Sequence, residues 1–107
     1  MKDLMEKILA LPLADQNFIV SPVGLDKLPF SLTEFVPVAM RLLSLDSNLS
    51  RIHAKLVPRM NEELFWQNYH YRITYLRAKV GMDESIMPLF AHLRDEDLTF
   101  YHIHYNI

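Results

Sequence analysis

"NEELFWQNYHYRITYLRAKV", residues 61–80, runs from Asn61 to Val80 without a proline or a glycine. The spacing predicts one long helix, extending roughly 30 Å at about 1.5 Å per residue. Asn61 stands where a cap is needed, and Glu62 and Glu63 fall in the first turn, where the positive helix end favours carboxylates. Phe65, Tyr69, Ile73, Leu76 and Val80 recur at spacings of four, four, three and four, a continuous apolar stripe that must be buried against other elements. Trp66 lies one position off that spine, either extending the core face or sitting at its rim, where interfaces also place such rings.

Upstream, "FSLTEF" at residues 30–35 carries agreeing start signals. Ser31 and Glu34 have capping-box spacing, and Phe30 and Phe35 occupy the staple positions. A helix over 32–45 follows, with Phe35, Val38, Ala39, Leu42 and Leu45 as its stripe; Pro37 inside it implies a bend or a later start at Thr33. "DSN" at 46–48 then caps a short helix over 48–57 that buries Leu49, Ile52 and Leu56 and stops at Pro58. Near the amino end, Leu4, Ile8 and Leu11 mark a helix over 3–11 ended by Pro12, and "ADQNFIV" adds a turn burying Phe18 and Ile19. Pro22, Gly24 and Pro29 make the intervening stretch a loop. Downstream, Ser85 caps a last helix with Ile86, Leu89, Phe90 and Leu93 inward, ending near Arg94. The terminal "LTFYHIHYNI" is β-prone and reads as an edge strand, a packed tail or a disordered one.

Composition bounds the class. With 107 residues, 50% of them hydrophobic and 22% charged, the chain has one domain's worth of core and lies away from disordered compositions. There is no cysteine, which removes disulfides and thiolate metal sites and makes an intracellular address, cytoplasmic or nuclear, the easier expectation. No apolar run approaches the ~20 residues of a membrane span.

The net charge of -2 is unevenly spread: residues 1–50 carry -2, 51–79 carry +4 and 80–107 carry -4. Arg51, Lys55 and Arg59 recur every four residues, and Arg72, Arg77 and Lys79 follow. Together with Tyr71 and Tyr75 they form either a solvated face or a basic and aromatic surface suited to phosphate and bases. The acidic flanks weigh against the second.

Catalytic candidates are few. Gly24 and Gly81 are too far apart for a phosphate-cradling loop. His102 and His104 with Asp95, Glu96 and Asp97 include metal-compatible ligands, but alternation near a chain end fixes no third ligand. His53 and His92 read as surface residues, and Glu62 and Glu63 as servants of the helix dipole. No acid, base and nucleophile converge, so no catalytic residue, metal or cofactor is expected.

"FWQNYHYRI" preceded by "LVPRMNEE" resembles the signature of the BSD domain, an adjacent Phe-Trp pair followed by Tyr-x-x-Arg-hydrophobic; here Phe65, Trp66, Tyr69, Arg72 and Ile73. The likeness covers roughly residues 8–80 and is nearest to the synapse-associated branch. It departs at His70, where the family usually has an aromatic residue. The resemblance implies a three-helix domain, also found in a core subunit of the transcription and repair factor IIH and in related fungal proteins. It implies an intracellular interaction module without catalytic residues.

The expectation is therefore an all-α small bundle: an N-terminal helical segment (1–27) packed on a BSD-like core (28–81), then a C-terminal helix and tail (82–107). Its function is expected to be non-enzymatic protein binding by a monomer, with Trp66, His70, Tyr71, Arg51, Lys55 and Arg59 as partner-facing residues. The alternative is nucleic-acid association in a transcription or repair assembly.

Overall fold

A computed structural model describes residues 2–79, and every regular element among them is helical. Helix α1 (Lys2–Ala10) runs into a 3-10 turn at Leu11–Leu13, and α2 (Gln16–Ile19) is a single turn. A second 3-10 turn spans Leu25–Lys27, and α3 (Leu32–Leu45) and α4 (Ser47–Leu56) form a pair joined at Asp46. A third 3-10 turn at Val57–Arg59 leads to α5 (Glu62–Lys79). The expected helix over 85–94, the tail, Val80 and the histidines at 92, 102 and 104 lie outside the described residues.

The three long elements α3, α4 and α5 each start where a side chain satisfies one or more of the first free amides. Ser31 Oγ accepts from Glu34 N at 3.4 Å, and Phe30 and Phe35 pack with ring centroids 5.4 Å apart, so the cap and the staple operate together. Asp46 Oδ1 accepts from both Asn48 N and Leu49 N at 3.1 Å, and Asn61 Oδ1 accepts from Leu64 N at 3.0 Å. Gly24 adopts φ 83°, a left-handed conformation that reverses the chain before the Leu25–Lys27 turn at no Cβ penalty.

Pro37 lies inside α3, which nevertheless starts at Leu32 rather than at Thr33. The carbonyl deprived of its amide belongs to Thr33, an exposed residue, so water can take the missing partner's place.

α5 lies between two layers. On one side Phe65 and Tyr69 join Ala39, Leu49, Ile52 and Leu56 of the α3–α4 pair in the core. On the other, α2 packs chiefly against α5, and α1 also reaches it. Phe18 of α2, fully buried, stacks on Phe65 at 4.5 Å and on Tyr69 at 5.4 Å, joining the two sides. Trp66 completes this aromatic centre, edge-on to Phe65 at 5.0 Å and to Tyr69 at 5.9 Å.

Three details differ from the expected stripes. Ile19 is 45% exposed, because a one-turn helix can direct only part of its surface inward and Phe18 takes that place. On α3, Val38 and Leu45 face outward, and the buried side is formed by Phe35, Ala39, Leu42 and Leu43. On α5 the apolar spine is only half of the buried surface: Asn68, Tyr71, Arg72, Tyr75 and Ala78 are buried as well.

Candidate functional site

The second buried side of α5 carries polar side chains, and Asn68, Tyr71 and Arg72 hydrogen-bond from it to the main chain of the N-terminal segment. Arg72 is fully buried; its Nη1 donates to Asn17 O at 2.6 Å and its Nη2 to Val20 O at 2.8 Å. One turn earlier, Asn68 Nδ2 donates to Phe18 O at 2.7 Å. These carbonyls belong to the end of α2, where a helix has no internal donors left, and a cation there also meets the negative end of the helix dipole. Tyr71 Oη donates to Val23 O at 2.9 Å, carrying the same pattern into the loop. Within the segment, Asn17 Nδ2 donates to Leu11 O at 3.1 Å and ties α2 back to the preceding turn.

A smaller cluster sits at the start of α5. Glu62 Oε2 accepts from Trp66 Nε1 at 3.3 Å and lies 2.9 Å from His53 Nε2 of α4. The His53 bond, with that from Trp66, holds the Glu62 carboxyl below its ordinary range. His53 is therefore more than a surface residue: its ring meets Phe65 edge-on at 5.2 Å and Trp66 at 5.5 Å. Glu62 satisfies the indole N–H at the edge of the core as well as serving the helix start.

The six side chains expected to face a partner are thereby sorted. Trp66 and Tyr71 are 1% and 2% exposed, so neither can be a first contact for a molecule docking on this fold. His70 is half-buried between Phe30 and Phe35, each with its ring centroid 5.5 Å away. The imidazole thus takes part in ring contacts with both phenylalanines. Burial pushes its pKa down, and the charge of Arg77 adds to that. Lys55 Nζ is paired with Asp15 Oδ2 at 2.7 Å, tying α4 to the N-terminal segment.

Arg51 and Arg59 remain on the surface. The basic run is therefore no single face. Arg72 is interior, Lys55 is paired and Lys79 Nζ stands 5.7 Å from the Tyr75 ring centroid.

α3 presents what sequence reasoning missed. Val36, Val38, Met40 and Leu45 are 41%, 47%, 67% and 76% exposed. At 100° per residue, Val36 and Met40 flank the buried stripe on one side, and Val38 and Leu45 flank it on the other. The signal was legible as an excess of apolar residues, more than one core-facing stripe can use. Asn68 was missed too, although Asn68, Arg72 and Tyr75 share the i, i+4, i+7 spacing of a second face.

Among the described residues no group of three His, Asp or Glu could hold a metal ion. No helix among them is long and apolar enough to cross a membrane.

Comparison with known proteins follows the same lines. A family model described as BSD domain matches residues 27–79. The chain is similar to Synapse-associated protein 1 of Mus musculus, 36% identical over 80 residues. That alignment covers 74% of this chain and 22% of the mouse protein, so the chain spans only 22% of its relative's length. No solved structure matches the chain.

Proposed function

Because this chain belongs to the BSD-domain family, we propose that it serves as a non-enzymatic, intracellular protein-interaction module whose contact surface lies along the exposed flanks of α3. The observation that carries this reading is the exposure of Val36, Val38, Met40 and Leu45 on one helix. Apolar side chains scattered singly over a surface are ordinary; four on a single fourteen-residue helix, in one pair along each edge of its buried stripe, are more than the core uses and leave both exposed flanks of α3 apolar.

Met40→Asp with Leu45→Asp tests the reading. Both positions face solvent, so the double variant is expected to keep the parent's helical circular dichroism. It is expected to lose proteins that the parent chain captures from a cell extract. Equal capture by parent and variant would overturn the assignment to α3. Capture abolished by nuclease and by raised salt, and lost in Arg51→Glu with Arg59→Glu, would move the function to nucleic acid instead.

A further inference from the structure

We propose that α5 carries a peptide-receiving groove, filled here by the chain's own residues 11–23, and that a segment of the same pattern from another protein can take its place. This concerns a different face from the α3 surface, and either assignment can fail alone.

The way α5 holds the segment is the first argument. Arg72, Asn68 and Tyr71 bond to the carbonyls of Asn17, Phe18, Val20 and Val23, all of them main-chain atoms. Main-chain recognition combined with one deep side-chain pocket is the usual division of labour in peptide binding. The pocket ring is Phe18, seated between Phe65 and Tyr69.

The segment is also shaped as a ligand. Its 3-10 turn and single helical turn are closed on themselves by the Asn17–Leu11 bond, which lowers the ordering cost of docking. The boundary gives a further argument. The matched domain begins at residue 27, so the receiving side chains lie inside it and the seated segment lies outside. Finally, the resident does not use every group on offer: Asn68 Oδ1 is buried and has no hydrogen-bond partner among the described residues. A replacement offering a donor there would gain a bond the resident lacks.

The pattern required is an apolar residue six positions before an Asn-Phe pair, as in Leu11, Asn17 and Phe18, with main-chain carbonyls free at the end of the following turn. Tethered by a few loop residues, the resident competes at an effective concentration on the order of millimolar. An outside peptide therefore enters only when the tether is cut or when it binds more tightly.

The experiment uses the whole chain with a protease site placed in the 24–29 loop, cut after folding, and a fluorescent peptide of residues 9–23. The cut chain is expected to take up the peptide, to release it to unlabelled peptide and to keep its helical signal throughout. The intact chain is expected to bind at least ~100-fold more weakly, because the tethered segment competes. A peptide carrying Phe18→Ala, which leaves the receiving chain untouched, is expected not to bind. No uptake by the cut chain, or loss of helicity as the fragment departs, would overturn the proposal and make residues 11–23 an inseparable part of the core. Met40→Asp in the cut chain should leave peptide uptake unchanged, which separates this result from the fate of the α3 surface.

Discussion

Replacing Arg72 by lysine keeps the charge and removes the fork. The guanidinium serves two carbonyls three residues apart, Asn17 O at 2.6 Å and Val20 O at 2.8 Å, from two separate nitrogens. Lysine brings one nitrogen at the end of a flexible stem and lacks the planar fork that reaches both carbonyls from two nitrogens, so it is expected to lose one of those bonds or weaken both. A hydrogen bond to a charged group contributes about 1.5–3 kcal/mol net, so Arg72→Lys is expected to cost about that much. Set against a total stability of about 5–15 kcal/mol for a domain, the variant should remain folded. With a urea dependence of about 1–3 kcal/mol per molar, the unfolding midpoint should fall by roughly 1 M at unchanged slope.

Urea titration followed by helical dichroism and by Trp66 fluorescence measures this directly. Amide exchange adds the location: it should quicken most across residues 14–23. A loss below about 0.5 kcal/mol, the range of ordinary surface substitutions, would refute the reasoning, since the carbonyls would then have water as an equal partner.

Other perturbations probe other parts of the fold. Phe18→Ala empties the space between Phe65 and Tyr69 and should cost about 3–5 kcal/mol by urea unfolding; a cost under ~1 kcal/mol would mean the site collapses or was never filled. Asp46→Ala removes the acceptor for two first-turn amides of α4 and should cost about 0.5–2 kcal/mol, whereas Asp46→Asn should recover most of it.

His70 predicts a pH effect whose sign follows from its lowered pKa. The unfolded chain takes up a proton as pH falls through about 6.5, while the folded chain resists it. This contribution is thus complete above that value and declines below it, down to the folded pKa. His70→Phe should lessen the loss of stability between pH 7.5 and 5.5, measured as urea midpoints, and an unchanged loss in the variant would count against it.

How the N-terminal segment is held bears on which parts of the chain act together. Lys55 reaches Asp15 from α4, and Asn68, Tyr71 and Arg72 reach the segment from α5, so residues from two helices of the matched domain converge on one stretch outside it. The side chains that hold the segment are the same ones that a simple polarity reading assigns to solvent. Asn68 and Arg72 score as polar, and their burial follows only from the carbonyls that α2 brings to them.

That contrast divides the molecule. Helix starts, stops and class were written in the sequence, because caps and breakers act within three or four residues: Ser31 with Glu34, Asp46 before Asn48 and Leu49, Asn61 before Leu64, and Pro58 closing α4. The family signature was legible for the same reason, since Phe65, Trp66, Tyr69, Arg72 and Ile73 lie within nine consecutive positions of one helix. Which faces those helices bury was decided only by the tertiary structure. A 3.6-residue stripe identifies one buried side, and α5 has two, because a segment about fifty residues earlier in the chain folds onto its polar flank. The same limit left α3 ambiguous. Its apolar residues outnumber the positions one contact can cover, and only the placement of α4 and α5 selected Phe35, Ala39, Leu42 and Leu43 for the interior and left Val36, Val38, Met40 and Leu45 to the solvent.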